Sequence, residues 1–224
     1  MECDKNPQKI KQIFDNISAY YDKMNNFISL GMHYQIKKNA LKLLNIKPYK
    51  MVLDICCGSG DFTKIISQIQ PKARTIGLDN SKNMLKIAKS KNPKCSFILA
   101  DAVNLPFKED EFDYVTIGFG LRNIEQREIA LAQIRKVLKP DGLFLHLDFG
   151  YHNLASKIFD KIVPFMVKKL DKNKEEYNYL LQSKNTYPEP DELIKEFEKH
   201  GLRCVKKRDY LFGAISVQIM QKIC

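Results

Sequence analysis

Three carboxylates stand at the ends of three apolar runs. Met51-Val52-Leu53 leads into Asp54, Thr75-Ile76-Gly77-Leu78 into Asp79, and Cys95 to Leu99 into Ala100-Asp101-Ala102. Between the first two lies the turn Cys56-Cys57-Gly58-Ser59-Gly60-Asp61, followed by a helix-like run from Phe62 to Ile69. A buried strand, a tight glycine turn and a helix form the opening unit of a nucleotide-binding α/β domain. In such a unit Asp79 falls at the tip of the second strand, where a carboxylate can accept hydrogen bonds from ribose hydroxyls.

The turn also says which nucleotide it suits. A dinucleotide fingerprint needs glycine at 63, and this chain has Thr63. That fingerprint also brings a pyrophosphate to the helix N-terminus, where backbone N–H groups and the helix dipole favour an anion. Asp61 at that end repels an anion and, with Asp54 before the turn, suits a ligand with positive groups. S-adenosylmethionine (SAM), with its sulfonium and ammonium, is such a ligand. The plainer alternative is that Asp61 is an N-terminal helix acid of mild stabilising effect.

The elements that must position these acids follow in order. Pro7 to Phe27 reads as a helix, with Ile10, Ile13, Phe14, Ile17 and Tyr21 at helical spacing. A second helix spans roughly Tyr34 to Leu44. The segment between is dense in polar and aromatic groups, Tyr20-Tyr21-Asp22 and Ser29-Leu30-Gly31-Met32-His33 among them, and reads either as an amphipathic cap on the domain or as a lid that closes over a cofactor and lines a substrate pocket. Strands follow at 51–55, 74–78, 95–99, 112–117 and 143–149, alternating with helices at 61–69, 81–90 and 125–138. Ser81 is the expected N-cap of the second of these helices, and Pro140-Asp141-Gly142 a turn. Alternation of this kind implies parallel strands with right-handed crossovers, and a ligand site at their carboxyl ends. Asp54 to Gly60, Asp79, Asp101-Ala102 and Gly118 to Asn123 should therefore converge.

After residue 150 the pattern changes. Leu154 to Leu170 reads as a basic amphipathic helix with Lys157, Lys161, Lys168 and Lys169, broken by Pro164. It suits packing on the sheet or lid, or contact with an anionic membrane surface. Asp171 to Glu176 reads as a charged connection. A last helix at 191–199 ends near Gly201, and Arg203–Tyr210 and Ala214–Met220 pair as a hairpin around Leu211-Phe212-Gly213. The expected architecture is a Rossmann-like α/β fold. It has a seven-stranded, mostly parallel sheet with one reversed edge strand, and an N-terminal helical lid. One domain fills the chain: a lid at 1–47, a core at 48–150, and substrate-side helices with the hairpin at 151–224.

Composition narrows the function. The chain has 224 residues, 44% hydrophobic and 28% charged, with a net charge of +11. Lys/Arg outnumber Asp/Glu by nine to four in residues 1–50, by fourteen to twelve in 51–150 and by fourteen to ten in 151–224. The core is thus nearly neutral and the flanks basic. No basic stripe borders the nucleotide site and no RNA-binding module is visible, so nucleic acid is not expected as a partner. An RNA methyltransferase is the rival reading that the overall charge raises. There is no transmembrane run and no apolar signal-peptide core at the N-terminus. The six cysteines show no C-x-x-C pair and no zinc spacing, so no metal is expected. These features point to the cytoplasm, with peripheral contact at the inner face of the cell membrane as an option. A homodimer is compatible with the sequence.

Several stretches resemble the class I SAM-dependent methyltransferases, and more narrowly the ubiquinone/menaquinone biosynthesis C-methyltransferase family. They are Phe14 to Asn25 with Ser29 to His33, Leu53 to Asp61, Gly118-Phe119-Gly120-Leu121-Arg122-Asn123, Leu138 to Gly142, and Leu211 to Ser216. The likeness covers nearly the whole chain. Ser59 stands where the family usually has Thr, and Gly118 where it often has Ser or Ala. The Trp-Arg that usually follows the His segment is absent.

The resemblance implies methylation of a ring carbon of a prenylated quinol, with SAM as the methyl donor. Demethylmenaquinol is the favoured acceptor, and 2-polyprenyl-6-methoxy-1,4-benzoquinol the alternative. It implies SAM contacts at Gly58, Gly60, Thr63 and Gly118, ribose binding by Asp79, and adenine binding by Asp101-Ala102. Arg122 is expected to stabilise a phenolate, directly or through water, or else to fix the loop by a structural salt bridge, and Asn123 to orient the ring. Tyr21 and His33 are expected to touch the substrate from the lid.

Overall fold

The computed structural model describes residues 4–168 and 174–223. Three helices come first: α1 (Pro7–Ile17), α2 (Tyr21–Ile28) and α3 (Met32–Lys42). The core follows as β1 (Met51–Ile55), α4 (Asp61–Ile69), β2 (Arg74–Asp79), α5 (Lys82–Lys91), β3 (Ser96–Leu99), β4 (Phe112–Gly118), α6 (Arg127–Val137) and β5 (Leu138–Phe149). Then come α7 (Leu154–Lys168), α8 (Lys174–Asn185), α9 (Pro190–Lys199), β6 (Leu202–Tyr210) and β7 (Ile215–Lys222).

The seven strands form one sheet in the order β3-β2-β1-β4-β5-β7-β6. The first five pair in parallel, and β7 runs antiparallel to both β5 and β6. The chain order reverses between β1 and β4, so their carboxyl ends border the crevice where such sheets bind ligands.

Successive residues on a strand face opposite sides. Leu53 and Ile55 therefore pack into one apolar layer with Leu131, Ile134 and Phe197. Val52 faces the other, with Leu41, Ile65, Leu145 and Val217. All of these are fully buried, and each contributes roughly 1.5–3 kcal/mol by leaving water. A smaller cluster joins the lid to the core: Ile17 and Met24 pack on Met84 of α5.

Four expectations from sequence are corrected. The single helix over Pro7–Phe27 is two, because the chain turns after Ile17, where Tyr20 N–H donates to Ile17 C=O at 3.0 Å. The fifth strand opens at Leu138, and the Pro140–Gly142 turn is an excursion within it. Phe112 pairs with Leu138 but Tyr114 with Leu143. Pro164 does not break α7, which runs to Lys168. The charged connection is shorter than expected because α8 already starts at Lys174, and the part on 171–173 lies outside the described residues, as does Lys169.

Ser81 caps α5 as expected, its hydroxyl accepting from Met84 N–H at 3.1 Å. The same hydroxyl donates to Asp15 of α1, so the cap also tethers the lid. Ser81→Ala should lower stability by about 1 kcal/mol through the lost cap. It should also raise proteolytic sensitivity within α1. Urea unfolding and limited proteolysis check both effects.

Candidate active site

The site grows from the turn after β1. Gly60 has φ +83, and a Cβ there would meet Ala88 Cβ at 2.9 Å, so only glycine lets α4 start this close to α5. Thr63 is fully buried and donates to Gly60 C=O at 2.8 Å. Its hydroxyl closes the turn, and Thr63 does not line the cavities described below.

Asp79 laces the second strand to this turn. Its Oδ2 accepts from Gly58 N–H at 2.8 Å and its Oδ1 from Ser81 N–H at 2.9 Å. Burial pushes its pKa up, against the pull of those backbone donors. Asp54 has one oxygen occupied, with Thr116 Oγ1 donating to Oδ1 at 2.8 Å. Its Oδ2 is buried without a partner, and burial lifts the carboxyl pKa to about 8.

Asp61 differs from the expectation. It is not open to a positive ligand, because Lys37 Nζ lies 2.7 Å and Lys91 Nζ 3.0 Å from its oxygens. Burial alone would raise its pKa, and the two lysines hold it well below the usual range. Its charge is therefore met by the protein. Lys91 also pairs with Asp22 of α2 at 2.7 Å, and Ser59 Oγ donates to Asp22 at 2.6 Å. These contacts latch α2 and α3 onto the turn.

Three cavities meet at these strand ends. One is polar and bordered by Asp54, Cys57, Ser59 and Asp61; a second runs past Asp79, Asn80, Met84 and Ile124. Gly58 and Gly118 border both. A Cβ on Gly118 would meet the Phe62 ring at 2.8 Å, so that ring occupies the space a larger residue would take. The third cavity is an apolar chamber under the lid, walled by Phe14, Met24, Ile28, Phe119, Phe149 and Phe159. Tyr21 borders all three, and Lys37 borders the chamber and the polar cavity.

Asp101 and Ala102 reach the same sheet end but line none of the three. Asp101 is exposed, accepting from Val103 N–H at 3.1 Å, and Ala102 packs into the core. Cys56 and Cys57 are free thiols in the turn, and burial drives both pKa values well up.

Arg122 lines the chamber, with its side chain only 5% exposed. One terminal nitrogen donates to Asp148 at 2.8 Å and to Phe119 C=O at 2.7 Å, while Nε is buried with no partner. The guanidinium lies 5.0 Å from the Phe149 ring centroid. Asn123 borders the Asp79 cavity and accepts from Tyr179 Oη at 2.9 Å. His33 enters the chamber from α3.

Sequence reasoning missed Lys37, Lys91, Asp148 and Tyr179. A lysine at 37 on the apolar-facing side of α3, next to Ile36, was the available signal for the first. The others become visible only through tertiary contact.

The donor set fits SAM. The unpartnered Asp54 oxygen suits an ammonium, and Asp79 at the β2 tip suits a diol. Comparison with known proteins agrees. The model of the ubiE/COQ5 methyltransferase family matches residues 2–222. Demethylmenaquinone methyltransferase of Staphylococcus carnosus is 37% identical, over 96% of this chain and 93% of its own. That of Geobacillus stearothermophilus is 35% identical, over 96% and 97%. In structure, a SAM-dependent methyltransferase from Thermotoga maritima superposes with a TM-score of 0.71 at 20% identity, covering 95% of this chain and 99% of that one, which shows the shared fold. With a family match from end to end and relatives above one-third identity across nearly its whole length, this chain belongs to the ubiE/COQ5 methyltransferase family.

Proposed function

We propose that this protein methylates a ring carbon of demethylmenaquinol, with SAM as methyl donor. The observation that carries this reading is the shared wall: Tyr21 and Lys37 border both the acid-lined polar cavity and the apolar chamber. A charged donor and an apolar ring can thus meet at one seam. The names of the similar proteins favour demethylmenaquinol. A benzoquinol precursor of ubiquinone is the second reading, since the family's description covers both branches.

SAM supplies a methyl group made electrophilic by its sulfonium. The protein supplies alignment and charge control. Asp79 would take the ribose hydroxyls and Asp54 the ammonium, with the backbone at Gly58 and Gly60 close by. Asp101 and Ala102 would meet the adenine from the end of β3. The Arg122 guanidinium, held by Asp148, places fixed positive charge at the chamber wall, where a ring phenolate gains most from it. Asn123 and Tyr21 orient the ring.

An assay on reduced demethylmenaquinone should give a product heavier by one methylene, identified by mass spectrometry. The methoxybenzoquinol serves as the comparison acceptor. Arg122→Lys should keep SAM binding and lose turnover by about a hundredfold. Unchanged turnover sinks the role of Arg122, and methylation of neither quinol sinks the reading.

Asp54 gives a second test. At pH 7 its raised pKa, about 8, keeps the ligand-free carboxyl protonated. The shift from 3.8 also means that its contribution to stability is lost as pH rises from about 4 to 8. An ammonium beside Oδ2 favours the charged form, so binding should expel the proton. Calorimetry in buffers of different ionisation enthalpy should show close to one proton released per SAM at pH 7. Release should vanish at pH 9 and in Asp54→Asn.

The lipid tail of the acceptor points to the membrane. No helix among the described residues is long and apolar enough to cross one. Leu154, Ile158 and Ile162, at every fourth position of α7, are 74%, 48% and 48% exposed, and Lys157 and Lys161 lie between them. Phe212, 96% exposed, belongs to the same surface, since Asn153 at the start of α7 donates to its C=O at 2.7 Å. Peripheral contact with anionic lipid through this stripe is part of the proposal. Lys157→Glu/Lys161→Glu should reduce sedimentation with anionic liposomes severalfold, and equal sedimentation of both proteins counts against it.

A further inference from the structure

The reaction needs a group that takes a proton from the quinol, and most of the acids and bases at the seam are spoken for. Asp61 is bound by two lysines and is too weak a base. Both oxygens of Asp79 accept backbone N–H groups. Asp54 holds its proton at neutral pH until it pairs with the ammonium of SAM, and the thiols of Cys56 and Cys57 are held protonated. Arg122 does not deprotonate in proteins. Lys37 is a cation in an ion pair.

His33 remains, and a neighbouring hydroxyl sets its tautomer. Ser29 Oγ lies 2.6 Å from Asn25 C=O, at the end of α2, and 2.9 Å from His33 Nδ1. A serine hydroxyl carries one proton. A carbonyl can only accept, so that proton goes to Asn25. Toward His33 the oxygen must then accept, which places the ring proton on Nδ1. It accepts from His33 N–H as well, at 3.3 Å. Nε2 is left with its lone pair. Asp61 Oδ2 is 3.8 Å away and already bonded to Lys37, beyond hydrogen-bond reach.

From these contacts we infer that His33 is the general base of the reaction, acting through Nε2, with Ser29 as the residue that positions it. This rests on the quinol reading above. The side chain is 13% exposed and borders the chamber with Tyr21, Lys37 and Arg122. The charges that face it are Lys37 on its own helix, Asp61 on α4, Asp22 on α2 and Lys91 on α5. Burial, with Lys37 next, lowers its pKa below 6.5, and Asp61 and Asp22 oppose this. The ring is therefore neutral at pH 7 and available as a base.

The step balances. The quinol O–H bond breaks, its proton moves to Nε2, and the electron pair left on oxygen spreads to the adjacent ring carbon. That carbon bonds to the methyl as the methyl–sulfur bond breaks, with that bond's pair staying on sulfur. The ring C–H proton then leaves to water, and the proton on Nε2 returns to the ring oxygen. The products are the methylated quinol, S-adenosylhomocysteine and one proton.

His33→Asn is the informative variant, because its amide N–H can still reach toward Ser29 while Nε2 is gone. It should lower kcat by about 10²–10⁴-fold and leave KM for the quinol and Kd for SAM within about twofold. The wild-type acid limb of kcat should lie below pH 6.5 and be absent in the variant. Imidazole should restore part of the rate in His33→Ala. If these variants fail to fold, Ser29→Ala, which frees the ring to change tautomer, should still lower kcat and move the acid limb. An active wild type whose variants keep the rate or the limb overturns the assignment alone. A wild type that binds SAM and methylates neither quinol overturns the functional reading. In that case nitrogen NMR of the His33 ring still decides, since an Nε2–H tautomer in the neutral ring is incompatible with a base at that atom.

Discussion

The carboxylate of Asp79 holds the site in one piece. It reaches Gly58 in the turn after β1 and Ser81 at the cap of α5, and so joins two βα connections that are more than twenty residues apart. Ser81 in turn holds Asp15 on the first helix. One buried acid therefore sets the turn, the helix cap and, through the cap, the lid. Because both its oxygens face backbone donors, the acid is positioned before any ligand arrives, which is the condition for binding a diol without reorganisation.

Charge around the turn follows a simple rule: almost every ion is met by another. Lys37 and Lys91 neutralise Asp61, Lys91 also meets Asp22, and Arg122 meets Asp148 in the interior. Leaving a buried charge alone costs several kcal/mol, roughly 3–5 when one partner of a buried pair is removed. Asp79 is met by backbone N–H groups instead, and Asp54 avoids that cost in the ligand-free protein by holding a proton.

The core was readable in the sequence because its signals are local. Apolar runs ending in Asp54, Asp79 and Asp101, alternation with helical periodicity, and a serine at 81 before a helix each follow from a few neighbouring residues. The helices that carry Tyr21 and His33 were marked by composition, an excess of polar and aromatic groups where packing alone needs none. What escaped was of two kinds. The break between α1 and α2 has no proline or glycine behind it. The partners of Asp61 and Arg122 are tertiary: Lys91 is thirty residues from Asp61, and Asp148 twenty-six from Arg122. No spacing rule reports such pairs. α8 hid for a related reason, since its charged opening at Lys174 to Glu176 resembles a linker until Tyr179 meets Asn123.

The two thiols of the turn have a chemical meaning of their own. Quinols interconvert with quinones, and a quinone is an electrophile that adds readily to a thiolate. Cys56 borders both the polar cavity and the Asp79 cavity. Burial and the surrounding aspartates Asp79 and Asp54 hold both cysteines as unreactive thiols. The same acids that shape the turn thereby hold its two thiols in the protonated form, which is the poorer nucleophile.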